Sequence, residues 1–367
     1  MNLELTDEQV ALRDTVRRYL SKNAGVSDHV RTMLDDPRGT TDAVWRGLVD
    51  LGTTSLLIPA DRGGDGMSMF EAGLVCEELG AALHPGPWVS SAVVAPRALT
   101  RFGADGERAR ELSAGIADGS VIATVAVPRD GTSFVADRRE GGVTVRGEID
   151  QVPDAAAADV LLVVGRGAEL YAIPLSLPEV RLDEVFGIDK SRKTFRVAFD
   201  DAPAHLVAVA DDMTNAGATE ALLDDMMVAW AADALGAARQ VLQMTVEYAE
   251  VRRQFGAPIG SFQAVAHLCV DMHETVQLAR SGIIYALWAA DFADRTERHL
   301  AALRVKAFAG RLATVGDLAI QVFGGIGFTW EHDAHLYLKR LLGFSRFLGS
   351  PGDYLEQVGH QLARSTG

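Results

Sequence analysis

An α+β chain of three parts is predicted: a helical N-terminal domain over residues 1–110, a middle antiparallel β-domain over 111–210, and a C-terminal bundle of four or five antiparallel helices over 211–367. Two observations carry this division. Apolar residues recur at helical spacing before about Gly106 and after about Thr219. Between them lie short Val-, Ile-, Leu- and Phe-rich segments separated by turn residues. The 367 residues suffice for two or three packed domains, and 48% hydrophobic with 23% charged residues is the balance of a soluble globular protein.

The N-terminal helix follows from Thr6, an N-cap before Asp7 and Glu8, and from Val10, Leu12, Val16 and Leu20 behind it. A second helix is predicted from Phe70 to Leu79, with Gly80 as its stop. Gly and Pro make Ile58–Gly66 a loop. Strands are expected at Val121–Val127, Gly142–Ile149, Val160–Val164, Tyr171–Ile173 and Thr194–Phe199. Alanine-rich helices follow over Ala229–Tyr248 and Phe262–Leu287. Phe308, Leu312, Val315, Ala319 and Val322 then mark one face of a single helix. A bundle buries those faces.

A formal net charge of −15 disfavours nucleic-acid binding through a general basic surface. No apolar run is long enough for a membrane span. Met1-Asn2-Leu3-Glu4-Leu5 lacks the basic start and apolar core of a signal peptide. Cys76 and Cys269 are too few and too far apart for a disulfide scaffold or zinc ribbon, so buried free thiols and a cytoplasmic setting are expected. His332 and His335 share a helix face with Asp333 between them, but no third ligand cluster accompanies them and no metal site is expected. His267 and His273 read as packing or interface residues, and Trp230 and Trp288 as core anchors.

Two segments point to chemistry. Tyr248–Gln263 contains Arg252-Arg253-Gln254-Phe255-Gly256. Arg252 offers a forked, charged donor for a pyrophosphate, and Gly256 permits close approach. Ser261 is the expected N-cap of the next helix, whose N-terminal N–H groups favour an anion. Gln321-Val322-Phe323-Gly324-Gly325-Ile326-Gly327 ends a helix with three glycines where a Schellman stop needs one. Its glycines follow a helix rather than a strand, so the Rossmann pattern does not apply. Alone, the first segment also fits an ordinary helix–turn–helix with a surface arginine pair.

Together, in this order and about seventy residues apart, the two segments resemble the flavin-ADP motifs of the acyl-CoA dehydrogenase family. The loop near Ile58-Pro59 with Gly63-Gly64, the run Glu77-Glu78-Leu79-Gly80 and the order helices, strands, helices resemble that family too. The resemblance implies FAD as cofactor, an acyl-CoA substrate, and an electron acceptor such as an electron-transfer flavoprotein. It implies that Arg252, Gln254, Phe255, Phe262 and Gln263, with Gln321, Val322, Phe323, Gly324 and Gly325, touch the ADP half of an FAD held by a neighbouring subunit.

The family removes an α-proton with a glutamate while the β-hydride passes to the flavin. Counted from Arg340, the commoner place for that base is near Gly349, where no carboxylate stands. The alternative place aligns with Met226, with Met227 beside it. Asp225 is the remaining candidate, with a helix first-turn carboxylate as its structural alternative. The Thr-Glu-Pro-like and Trp-Ile-Thr-Asn-like segments that cup the flavin ring correspond to Ala123–Pro128 and Gln151–Ala155, without the Trp and Thr.

Motifs that reach a neighbour are kept and those of the chain's own half-site are lost. The pattern resembles the accessory subunit of heterotetrameric dehydrogenases of steroid side-chain degradation, also through Gly325–His335. A self-sufficient homo-oligomer with an atypical base, a structural module with no completed FAD site, and an oxidase are the other expectations compatible with the sequence.

Overall fold

The computed structural model describes residues 4–128, 132–139, 142–210 and 215–365. Met1–Leu3 of the N-terminal reading, and the 210/211 domain boundary, fall on or against residues outside that set. Six helices come first: α1 (Asp7–Asn23), α2 (Arg31–Met33), α3 (Asp42–Asp50), α4 (Met69–Ala81), α5 (Ala95–Arg101) and α6 (Glu107–Ala117). Thr6 starts α1 through a reciprocal pair: its Oγ1 accepts the Gln9 N–H (3.3 Å), and Gln9 Oε1 accepts the Thr6 N–H (3.0 Å).

Seven strands follow: β1 (Ala123–Ala126), β2 (Val135–Arg139), β3 (Gly142–Pro153), β4 (Val160–Val164), β5 (Glu169–Pro174), β6 (Val180–Glu184) and β7 (Thr194–Val209). Their order is β1-β4-β5-β7-β3-β2, with β6 also on β7. The expected antiparallel sheet is corrected to a mixed one, because β1 and β4 run parallel, Ala123 opposite Val160. Both strands are apolar without alternation, as befits strands covered on both faces. The sequence reading missed β2 and β6, whose charged residues suit half-exposed strands. The β-core gathers Val145, Ile149, Leu161, Val163, Ile173 and Val197, with Phe134 edge-on to Phe199 at 5.7 Å.

The C-terminal helices are α7 (Asn215–Val251), α8 (Gln263–Phe292), α9 (Arg295–Ala309), α10 (Leu312–Phe323), α11 (Ala334–Arg346) and α12 (Pro351–Ser365). The single helix predicted through Phe308 and Leu312 is two, broken at Gly310-Arg311. A Cβ on Gly310 would stand 2.1 Å from Pro351 Cγ, so the break sits where α12 begins. Among the described residues no helix is long and apolar enough to cross a membrane.

The chain forms two compact units: Met1–Val26, Gly73–His84 and Met227–Gly367 in one, Ser27–Ala72 and Pro85–Met226 in the other. In the first, α4 and α7 meet backbone to backbone. Gly80 lies within α4 rather than stopping it: a Cβ there would be 1.8 Å from Asp233 O, and one on Gly236 would be 1.7 Å from Glu77 O. Buried carboxylates on α4 anchor three neighbours. Glu78 accepts from Arg17 (2.8 and 2.9 Å) and Arg239 (2.9 Å), and Glu77 from Arg239 (3.0 Å) and Arg280 (2.9 Å). Arg340 on α11 joins Asp233 (3.0 Å) and the Leu83 and His84 carbonyls (3.1 and 3.2 Å), a buried pair whose remaining donors are satisfied.

Lys306 on α9 is fully buried; its Nζ donates to Phe344 O (2.6 Å) and lies 4.3 Å from that ring's centre. Burial lowers its pKa from 10.5 to about 7. The unfolded chain keeps a proton that the folded one sheds between those values, so this group makes stability rise with pH across that window. Its penalty is complete below pH 7. We expect its contribution to change by about 2 kcal/mol between roughly pH 7 and 9, and Lys306→Met to remove that component from urea unfolding curves. An unaltered pH slope in the variant would show that Lys306 stays charged in the fold.

Candidate functional site

The first motif is a hairpin after α7. Arg252 N–H donates to Tyr248 O (2.8 Å), and Ile259 N–H to Arg252 O (2.8 Å). Strands β8 (Arg253–Gln254) and β9 (Ala257–Pro258) pair across Phe255 (φ 50°) and Gly256 (φ 82°). Two successive positive φ values are the signature of a tight hairpin turn. The turn lifts Phe255 to 95% exposure, edge-on to Phe262 at 6.2 Å. Ser261 does not cap α8 as expected; its Oγ turns back to Pro258 O (2.6 Å), and the N-cap is Phe262, without a side-chain hydrogen bond. Arg252, Arg253, Gln254 and Gln263 are exposed, and among the described residues neither arginine has an ion-pair partner.

The second motif ends α10. Val322 and Phe323 point inward, and the Phe323 ring lies 4.9 Å from Tyr248 and 4.3 Å from His332. That stacking brings the end of α10 against the helix that leads into the hairpin. Gln321, Gly324 and Gly325 face outward around an open hollow of about 480 Å³, lined also by Asp317, Ile320 and Phe328. Gly324 takes φ 65°, ψ −142°, which explains a glycine there. Gly325 has no such backbone reason, and a Cβ on it would meet nothing within 4 Å, whereas one on Gly327 would meet Phe323 Cβ at 3.0 Å. The chain's own packing therefore leaves Gly325 unexplained. Arg252, Gln254 and Phe255 do not line the hollow. The sequence reading missed Asp317 and Phe328. Asp317 could have been found from its place four residues before Gln321, on the same helix face.

The carboxylates have other partners. Asp225 is 1% exposed; its oxygens accept from Arg97 (2.8 and 3.2 Å) and Arg101 (2.8 and 2.9 Å). Burial opposes its ionisation, but the two guanidinium groups prevail and hold its pKa below the ordinary aspartate range. Since α7 begins at Asn215, Asp225 lies in the third turn and not in the first, as its structural alternative supposed. Met226 and Met227 are buried. Gly349 has φ 134°, and a Cβ there would stand 3.1 Å from Tyr354 Cε2. Past it, Ser350 N–H donates to Asp353 Oδ2 (2.9 Å), which caps the start of α12. In the other unit, Thr124 Oγ1 donates to Pro153 O (2.6 Å) and Ser90 Oγ to Asp154 Oδ2 (2.5 Å). His332 Nδ1 accepts the Ala334 N–H (3.1 Å), and His335 stacks on Trp330 at 5.4 Å. Trp230 stacks on Phe347 at 4.8 Å, as a core anchor should; Trp288 is half-buried beside the exposed Phe292. Cys76 is a buried thiol and Cys269 a half-buried one, neither of them in a disulfide.

A helix-and-sheet scaffold bearing these two motifs defines a flavoenzyme class, and comparison with known proteins gives the same class. The acyl-CoA dehydrogenase N-terminal and C-terminal domain profiles match residues 6–119 and 216–362. The acyl-CoA dehydrogenase IpdE2 of Mycobacterium tuberculosis H37Rv is 30% identical over 360 residues, covering 98% of this chain and 98% of that protein. FadE34 of the same organism is 35% identical over 363 residues; they cover 96% of this chain, which spans 48% of FadE34. Among solved structures, the ChsE4-ChsE5 complex from Mycobacterium tuberculosis aligns with a TM-score of 0.87 at 26% identity, over 99% of both chains. A variant of the steroid ACAD Tcur3481-Tcur3483 aligns with a TM-score of 0.87 at 25% identity, over 98% of this chain and 99% of that one. The chain belongs to the acyl-CoA dehydrogenase family. It is therefore of the class of FAD-dependent oxidoreductases acting on CH–CH bonds.

Proposed function

We propose that this chain is the accessory subunit of a heteromeric acyl-CoA dehydrogenase, lending ADP-half contacts to an FAD whose catalytic base stands in a homologous partner. The observation that carries the reading is a contrast within one chain. The outward-facing motif keeps Gly324 and Gly325 beside an open hollow, while Gly349 takes a backbone conformation that an L-residue seldom adopts. A glutamate at Gly349 would be strained, and Asp225 is already held by two arginines. Neither place offers a carboxylate free to take a proton.

FAD, when bound, supplies the hydride acceptor for α,β-desaturation of an acyl-CoA thioester. This chain's residues would bind and orient it. Arg252 gives a planar charged donor for the pyrophosphate, Gln254, Gln263 and Gln321 give amide donors, and Gly324 and Gly325 admit the ligand against bare backbone. Phe255 and Phe262 would cover it from water. Val322 and Phe323 set the position of that backbone from below. Two aligned structures are of two-component assemblies, ChsE4-ChsE5 and Tcur3481-Tcur3483, which supports a partner subunit, and the second is a steroid ACAD, which favours a steroid thioester as substrate. Two thiols outside any disulfide accord with a cytoplasmic setting.

The test is flavin per chain by visible absorbance. The protein purified alone should be flavin-poor, and with a homologous dehydrogenase chain produced beside it should hold about one FAD per heterodimer. One FAD per chain in the protein alone, bleached by acyl-CoA, would overturn the accessory role and make this a complete enzyme.

A further inference from the structure

We propose that Asp317 makes the hollow at the end of α10 selective for an adenosine without a 3′-phosphate, so that it takes FAD and rejects the coenzyme A present in the same complex. The inference rests on the reading of this hollow as an ADP cradle. Both ligands of the reaction carry an ADP moiety. In FAD the adenosine ribose keeps its 2′- and 3′-hydroxyls; in coenzyme A the 3′-oxygen bears a phosphate. A cradle made only of glycine backbone, a glutamine and apolar side chains recognises what the two ligands share and cannot separate them.

Asp317 supplies the difference. It lies one turn before Gln321 on the exposed side of α10, and both line the hollow with Gly324 and Gly325. Among the described residues no hydrogen bond or ion pair occupies its carboxylate. No neighbour in the fold therefore accounts for an acid at this place. A carboxylate is poorly placed to face a pyrophosphate, but it accepts hydrogen bonds from a ribose diol. The two unpaired cations of this unit's first motif, Arg252 and Arg253, sit on the hairpin and not in the hollow. That division assigns the phosphates to the hairpin and the ribose to the acid. A 3′-phosphate, carrying between one and two negative charges, would meet Asp317 at a few ångströms. Even in water-like surroundings such an approach corresponds to on the order of a tenfold loss of affinity.

The experiment uses the complex of this chain with its partner, stripped of flavin. FAD loading is followed by flavin fluorescence, with ADP or 3′-phospho-ADP as competitor, in the native complex and in Asp317→Asn. Native complex should be inhibited by ADP about tenfold more strongly than by 3′-phospho-ADP, and the variant should bring the two competitors to near parity. If FAD loads and ADP competes, but the ratio is the same in both proteins, Asp317 is not the selector, while the cradle reading stands. If neither nucleotide competes and Gly325→Leu loads FAD as well as native, the cradle reading itself falls, and this inference with it. Equal inhibition by both nucleotides in the native complex would also overturn the selectivity.

Discussion

Replacing Gly325 with leucine is expected to leave the chain folded and to strip FAD from the complex. The expectation follows from the emptiness around that glycine. Its Cβ position has no neighbour within 4 Å and its φ lies outside the left-handed region, so the substitution meets no resistance in the chain itself. The unfolding midpoint of the variant alone should match that of the native chain, as for most exposed substitutions. In the complex, the same side chain would occupy the space that the proposed ADP cradle gives to its ligand. Overpacking of that kind costs about 1–3 kcal/mol, or roughly 5- to 150-fold in FAD affinity. Flavin retained after gel filtration is the direct readout. Full flavin retention would remove this hollow from the cofactor site.

The largest structural effect is expected at Gly236. Alanine is a better helix former than glycine by about 1 kcal/mol. That gain is overridden here, because its Cβ would sit 1.7 Å from Glu77 O and 2.8 Å from Ala81 N, both main-chain atoms of α4. Backbone cannot swing aside as a side chain can, so the two helices must separate. Separation also pulls Arg239 away from Glu77 and Glu78, residues 7% and 2% exposed. Glu77 keeps Arg280 and Glu78 keeps Arg17, so this loss adds to an overpacking cost of about 1–3 kcal/mol without stranding a buried charge. We expect Gly236→Ala to lower the urea midpoint by an amount equivalent to several kcal/mol, about 3 or more, or to prevent soluble production altogether. A native midpoint would show that α4 and α7 part freely.

Local signals in the sequence carried far. Thr6 before Asp7 and Glu8 marks the start of α1, and strands β4 and β7 begin where their apolar runs begin. What escaped was set by distant neighbours. Gly80 looks like a helix stop because glycine usually is one; its reason is the backbone of a helix some 150 residues later. The glycine at 310 is explained by Pro351, against which a Cβ would stand at 2.1 Å, and no window around residue 310 contains that proline. Ser261 has the chemistry of a cap but turns to the preceding hairpin. Asp225 looked like an available acid because Arg97 and Arg101, which claim it, lie 128 and 124 residues away. At the candidate site the residue types were legible in the two motifs. The gathering of Gln321, Gly324 and Gly325 around one hollow needed the fold; Asp317 was within reach of the sequence only as a residue on the same helix face as Gln321.

Gly349 gives the proposed dependence on a partner a basis in the backbone. A glutamate introduced there would face strain on the order of 1–3 kcal/mol at φ 134° and the Tyr354 ring 3.1 Å from its Cβ. The chain beyond is already committed, with Ser350 and Asp353 holding the first turn of α12. A single substitution would thus return the carboxylate only at that cost. On the proposed reading, geometry, and not the missing side chain alone, would hold this chain to its partner.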